Sequence, residues 1–223
     1  MNYVDDELNW TNDDNKKFYL NMPKCFFDKN VEQSGLHMGD DVDLIMSYIK
    51  SAKSILDVGS GYGRVLKHLL NRNYRDKLYS IERNQKMCAY LRKHFSKRAN
   101  IIEQDIKIFT PKIKFDVILL MWASFCEFSC KEQFPLLKRL VSMVDIDCGQ
   151  IFVDSITLLC QPENSRKIGR QTQIIETPYG NDLCYIPSLK QMTLYAARIG
   201  LNMESFNYNL CSGTERIVYR LFK

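Results

Sequence analysis

Six prolines and ten glycines in 223 residues are too few for a fibrous repeat or a low-complexity linker. With 45% hydrophobic and 26% charged residues, the composition also excludes a largely disordered chain. Long apolar runs are missing: the stretch Val117 to Ala123 is far too short to span a bilayer, so no membrane insertion is expected. The start, MNYVDDELNW, is acidic and lacks the basic beginning and apolar middle of a secretory signal, which gives a cytoplasmic location as the expectation. The eight cysteines are scattered and accompany no export signal, so they read as reduced thiols rather than a disulfide framework. Cys126 and Cys130 have no second pair and no nearby histidine at zinc spacing, so no metal is expected.

What is present points to one sizeable core with an appendage. Apolar runs and amphipathic segments alternate from residue 54 onward, the pattern of a parallel sheet covered on both faces. Strands are expected at Ser54 to Val58, Leu78 to Ile81, Asn100 to Glu103, Phe115 to Met121 and in GQIFVDSIT after Gly149. Helices are expected at Gly63 to Arg72, Asn84 to His94 and Glu132 to Val144. Beyond residue 165 the pattern changes. RQTQIIETPYGNDLCYI carries two β-prone runs around the turn cluster Pro178 to Asp182 and predicts a hairpin, a lid over about residues 170–187. PSLKQMTLYAARIGL predicts a helix capped by Ser188, with Gln191 completing a capping box and Gly200 ending it. Two closing strands follow. Residues 1–50 form a prefix, helical at Asp41 to Ala52, expected to act as an N-terminal cap on the domain 51–223.

SILDVGSGYGRVLKHLL, residues 54 to 70, sets Gly59, Gly61 and Gly63 between a strand and a helix. Glycines there let the backbone approach a ligand closely. The dinucleotide fingerprint needs its third glycine where Arg64 stands, and no Gly-Lys-Ser/Thr ending follows, so neither a nicotinamide or flavin site nor a phosphate-cradling loop fits. Asp57, two residues before Gly59, would repel a pyrophosphate and suits a ligand bearing an ammonium group. Glu82 ends the second strand, where a carboxylate accepts both hydroxyls of a ribose. Asp105 follows the third strand, placed to accept from an adenine amino group.

Taken together, LDVGSGYG, SIERN, EQDI and FDVILLMWASF resemble the four successive motifs of the class I S-adenosylmethionine-dependent methyltransferases, over about residues 50–157. The resemblance implies an α/β, Rossmann-like three-layer sandwich on a seven-stranded, mostly parallel sheet whose last strand is inserted antiparallel. It implies S-adenosyl-L-methionine as cofactor, with S-adenosyl-L-homocysteine as product. The Gly59, Ser60, Gly61 and Gly63 turn would then hold the methionine part of the donor, with Asp57 near its ammonium group. Glu82 would bind the ribose, Asp105 and the Ile106 backbone the adenine, and Met121 with Trp122 would close over the reacting end.

The acceptor is less legible. Met121, Trp122, Ala123, Ser124 replaces the Asn/Asp-Pro-Pro-aromatic run that marks amino-group methylation of bases or glutamine, and Cys126 follows Phe125 rather than proline. Trp122, Phe125, Tyr179 and Tyr185 are the expected substrate-facing aromatics, suited to cation–π contact. Glu127 and His37 are the candidates for a general base or a cation anchor, and Trp10, Phe18 and Tyr19 of the prefix are expected to close from the other side. A small or medium-sized organic acceptor is the leading expectation. The alternative is RNA, because Arg64 to Arg98 carries 11 basic residues against Asp76 and Glu82. A noncatalytic donor-binding sensor or partner subunit and an aminopropyl transferase are the remaining readings; the latter lacks its acidic diamine signature. Oligomeric state leaves no trace in the sequence.

Overall fold

Residues 9–160 and 164–223 are described by the computed structural model. The prefix opens with a 3-10 turn, Asn12–Asn15, followed by α1 (Lys16–Asn21), α2 (Lys24–Gln33) and α3 (Asp40–Ile49). In α3, Val42, Ile45 and Ile49 are fully buried at helical spacing, which is why this helix was legible. Only Phe18 in α1, and Phe27 and Val31 in α2, are buried, too sparse a pattern to announce a helix.

The alternating segment then delivers β1 (Ser54–Val58), α4 (Arg64–Asn71), β2 (Lys77–Glu82), α5 (Gln85–Phe95), β3 (Ala99–Glu103), β4 (Val117–Leu120), α6 (Cys130–Val141) and β5 (Gln150–Ile156). Three short strands follow, β6 (Ser165–Lys167), β7 (Thr172–Thr177) and β8 (Gly180–Tyr185), and then α7 (Leu189–Arg198), β9 (Asn202–Asn209) and β10 (Glu215–Phe222). The main sheet has seven strands in the order β3-β2-β1-β4-β5-β10-β9. β1 through β5 pair in parallel, and β10 enters antiparallel between β5 and β9. The sheet is the one the resemblance implies.

Both faces of this sheet are covered. Along β4, Val117 and Leu119 join α3, α4 and α5 in one apolar layer, while Ile118 and Leu120 join α6 and α7 in the other. That two-residue alternation, with every position buried, is what a strand between two helical layers requires. α3 belongs to the same layer as α4, and Asp41 of α3 is tied to Arg64 of α4 by a bidentate pair at 2.9 and 2.6 Å, both residues buried. Ser188 caps α7 by accepting from the Gln191 backbone, and Gly200 follows with φ +72°. The Gln191 side chain does not reach back to complete the box; it bonds Gln171, Tyr185 and Tyr195 instead, because the buried polar groups around it need a partner.

The hairpin expected at Pro178 to Asp182 is β7 and β8, and β6 adds an unexpected third strand to a separate antiparallel sheet in the order β6-β7-β8. A third apolar cluster joins the prefix to this region through Phe18, Met22, Phe27 and Val31, with Tyr179 and Trp122 packed against it. The buried Asn15 locks the two together: its amide donates to the Leu183 carbonyl and its carbonyl accepts the Leu183 N–H, both at 2.8 Å. Among the described residues no helix is long and apolar enough to cross a membrane, and all eight cysteines are free.

Candidate active site

The strand order reverses between β1 and β4, and in open α/β sheets ligands bind at the carboxyl ends on such a switch point. There β1 runs into a turn in which Gly59, Gly61 and Gly63 have φ of +69°, +54° and +81°, backbone that side chains rarely adopt. Ser60 is buried and donates its hydroxyl to the Asp57 carbonyl at 2.9 Å, closing the turn from beneath. Gly63 has a packing reason of its own: a Cβ there would stand 2.6 Å from the Phe95 ring and 2.9 Å from Leu91, so its absence lets α4 lie against α5. Gly59 and Gly61 face a cavity of about 720 Å³; Ser60 and Gly63 do not.

The acids at the strand ends sit at graded depth. Asp57 is buried with its Oδ2 lacking a hydrogen-bond partner among the described residues, and burial pushes its carboxyl up to about 7. Glu82, also buried, accepts from the Gly61 N–H at 2.9 Å with one oxygen and from the Asn84 N–H at 2.8 Å with the other. Burial raises its pKa against the pull of those N–H groups. Each Glu82 oxygen keeps a second lone pair, and the residue lines the cavity. Asp105 is half-buried on the same wall; it accepts from the Lys107 N–H at 2.8 Å and lies 3.7 Å from Arg83. Ile106 and Met121 complete this part of the lining.

Past β4 the chain turns through Trp122 and Ala123, with φ of +53° and +58°. Two consecutive non-glycine residues in the left-handed region carry a strain of about 1–3 kcal/mol each. The surroundings hold them: the Ala123 N–H donates to Asp154 at 3.3 Å, and the Phe27 ring meets the Trp122 ring edge-on with centroids 5.0 Å apart. Asp154 is itself fixed by Arg216, at 3.1 and 2.5 Å, and by the Tyr208 hydroxyl at 2.8 Å. Ser124 and Glu127 follow on the cavity wall. Glu127 accepts from the Tyr19 hydroxyl at 2.6 Å, and its backbone carbonyl accepts from Asn12 at 3.2 Å. Burial and the neighbouring Asp182 charge drive the Glu127 carboxyl up to about 8.

The remaining wall comes from the prefix, through Phe18, Tyr19 and Phe27, and from the second sheet, through Ile175, Asp182 and Cys184. Burial likewise raises Asp182 to about 7, and its Oδ1 has no partner among the described residues. Sequence reasoning missed Asp182 and Cys184 because they lie in a segment rich in turn residues; their spacing of two along β8 was the available signal.

Several expected residues stand elsewhere. Phe125 is fully buried in the layer beneath α6, because the chain after Trp122 dives back toward the core. Tyr185 is buried with its hydroxyl donating to Gln191 at 3.0 Å on the α7 side. Tyr179 packs its ring on Phe26, centroids 4.9 Å apart, at the seam between hairpin and prefix rather than on the cavity wall. His37 is exposed, outside the lining. Trp10 is buried but not in the lining. Cys126 is a packed thiol 3.1 Å from the Ser155 hydroxyl, pushed up to about 12 by burial.

The basic segment is less free than its count implied. Arg64 is consumed by Asp41, Arg72 pairs with Asp43, Arg92 pairs with Glu103, and Arg83 donates to Asn12 and lies 3.2 Å from Asp13. Arg75, Lys77, Lys97 and Arg98 gather with Lys53 and Lys114 around a concavity at the amino ends of β1 to β3, the edge opposite the candidate site. No group of three or more metal-ligating side chains is found among the described residues.

The model of the family described as methyltransferase domain matches residues 55–146. No curated protein sequence matches the chain. Among solved structures, DesVI of Streptomyces venezuelae is similar at 17% identity, with a TM-score of 0.63 over 88% of this chain and 95% of that one. The 1,6-didemethyltoxoflavin-N1-methyltransferase of Burkholderia thailandensis, with bound 1,6-didemethyltoxoflavin and S-adenosylhomocysteine, shares 12% identity and a TM-score of 0.65, over 88% and 82% of the two chains. CalS10, an amino pentose methyltransferase from Micromonospora echinaspora with S-adenosylmethionine bound, shares 14% identity and a TM-score of 0.61, over 87% and 95%. The glycine turn and the free lone pairs of Glu82 fit a donor with a ribose, while Asp57, with its unpartnered oxygen, stands behind the turn outside the lining. Residues 55–146 thus match a methyltransferase domain, and the chain as a whole has the sheet order and fold of the methyltransferase structures to which it is similar.

Proposed function

We propose that the protein transfers a methyl group in line to a small or medium-sized organic acceptor held between the prefix and the second sheet. When bound, S-adenosylmethionine supplies a methyl already activated on a sulfonium, so the protein's share of the work is alignment and exclusion of water. The Gly59 and Gly61 backbone takes the methionine part, with Ser60 and Gly63 shaping the turn. Asp57 acts on the ammonium through a water or a backbone amide. Glu82 accepts from the ribose, Asp105 and the Ile106 N–H meet the adenine, and Met121 with Trp122 bounds the reacting end. Of the prefix 1–50, residues 9–50 serve as a cap, residues 1–8 lying outside the described residues, and the β7–β8 hairpin serves as a lid over about 170–187.

One observation carries this reading: the strand-end residues, the prefix aromatics and the second sheet line a single cavity of about 720 Å³. That is within the range of about 300–1,000 Å³ of small-molecule sites. A polymer acceptor is disfavoured because the densest group of basic side chains, Lys53, Arg75, Lys77, Lys97, Arg98 and Lys114, lies at the amino edge of the sheet, away from this cavity. Free, scattered thiols fit a cytoplasmic location.

The test is transfer of a labelled methyl group into a cell extract, separated by size before and after nuclease or protease. Label confined to the small-molecule fraction is expected. Nuclease-sensitive label would overturn the acceptor class, and no label in any fraction would remove the catalytic reading.

A further inference from the structure

Two half-buried carboxylates in the cavity have no evident task in binding the donor. Glu127 projects from the turn after β4, and Asp182 from β8. Both are half-buried on the cavity wall, and burial raises the pKa of each. Glu127 Oε1 accepts from Tyr19 and Asp182 Oδ2 from the Cys184 thiol at 3.9 Å, while Asp182 Oδ1 has no partner among the described residues. No cation among the described residues lies within ion-pair distance of either. Three cations line the cavity: Arg216 is held by Asp154, Arg83 by Asn12, Asp13 and Asp105, and Lys29 of α2 stands on the wall outside ion-pair distance of both acids. A buried charge without a partner is costly, so a pair of them is a standing demand for positive charge.

A separate observation points to a ligand at the same place. Ser124 is nine-tenths buried on this wall, and its hydroxyl has no partner among the described residues. Its Cβ lies 3.5 Å from where a Gly59 Cβ would stand, so the unpartnered hydroxyl belongs to the stretch between the glycine turn and the two acids. The walls around it are aromatic, from Phe18, Phe27 and Trp122. Aromatic faces beside paired acids favour a cation on an apolar body.

We infer that the methyl acceptor is the nitrogen of a primary or secondary amine on an apolar body, its ammonium held by Glu127 and Asp182 and its body by Phe18, Phe27 and Trp122. This rests on the methyl-transfer reading above. One ammonium proton passes to the Glu127 carboxylate, which frees the nitrogen lone pair. The nitrogen then bonds to the methyl carbon as the carbon–sulfur bond breaks, and that electron pair stays on sulfur. The product leaves as the methylated ammonium, and Glu127 returns its proton to water. A carboxyl pushed up to about 8 is far better matched to an alkylammonium than an ordinary glutamate.

The test measures binding to the full chain by calorimetry, with and without S-adenosylhomocysteine. The probes are butylamine, phenethylamine and tryptamine, each beside the alcohol of the same skeleton. At least one amine should bind about tenfold or more tighter than its alcohol, the scale of a charge-assisted hydrogen bond. E127Q and D182N should each remove most of that preference while leaving S-adenosylhomocysteine affinity unchanged. Both substitutions keep the size and hydrogen-bonding capacity of the side chain, and each residue is half-buried, so neither should impair folding. Equal binding of amines and alcohols, or a preference that survives both substitutions, overturns the inference even when S-adenosylhomocysteine binds. An amine preference in a protein that ignores S-adenosylhomocysteine instead overturns the methyl-transfer reading and leaves the amine site standing.

Discussion

The carboxyl edge of the main sheet and the closure above it are built in different ways. The edge is made from main chain: a turn with three left-handed glycines, and Glu82 oxygens fixed by the N–H groups of Gly61 and Asn84. The closure is made from side chains that meet across long stretches of sequence. Asn15 clasps Leu183, Tyr19 bonds Glu127, and Phe27 crosses Trp122. A backbone-built site tolerates wide sequence change around it, whereas a side-chain-built one is rewritten by single substitutions. On the proposed function, that difference would separate the donor's site from the acceptor's.

The largest effect should come from cutting the support of the edge itself. Asp41→Ala strands the Arg64 guanidinium in the core, and a loss of about 3–5 kcal/mol is expected in denaturant unfolding. Little change would mean that Arg64 finds water, and that α3 is not fastened to α4 by this pair. Next in size, Glu82→Ala should weaken S-adenosylhomocysteine binding by about 1.5–3 kcal/mol with the fold intact. Unaltered affinity in a titration would remove Glu82 from the donor site. Asn15→Ala leaves the Leu183 N–H and carbonyl without their partner, at a cost of about 1–3 kcal/mol. The effect should appear first as faster hydrogen exchange at Leu183, with donor affinity unchanged. If donor affinity falls too, edge and closure are one cooperative unit and the contrast between them fails.

The gentlest probe is pH. Glu127 and Asp182, facing Tyr19, Arg83, Glu82 and Cys184, ionise near 8 and 7 when folded, above their ordinary values of 4.5 and 3.8. Between those limits the folded chain holds more protons than the unfolded one. The stability from these groups is therefore complete below about 4 and lost as pH rises through 7 to 8. The melting temperature should decline over that span, and the double variant E127Q/D182N should flatten the decline. A profile identical to the parent's would show that the two acids are solvated.

Much of the edge was legible because it obeys local rules. Strands buried on both faces write continuous apolar runs, as Val117 to Leu120 does, and the glycine spacing announces the turn. Gly63 shows the limit, since sequence gave it to the ligand and packing against Phe95 claims it. The closure was half-legible. The hairpin declared itself through Pro178 to Asp182, but β6 is only Ser165–Lys167 and has no pattern of its own. Phe125 and Tyr185 were aromatic in the right neighbourhood, yet which way a side chain faces after a left-handed turn depends on contacts no short window contains.

Trp122 and Ala123 bear on how such a protein changes over time. Glycine at position 123 would relax a conformation that alanine resists, and Ala123→Gly should raise thermal stability slightly if the turn keeps its shape. The same change would loosen the indole that the proposed function sets beside the reacting end. On the proposed function, a change that relaxes this turn and one that keeps the indole in place would then pull on the same two residues in opposite directions.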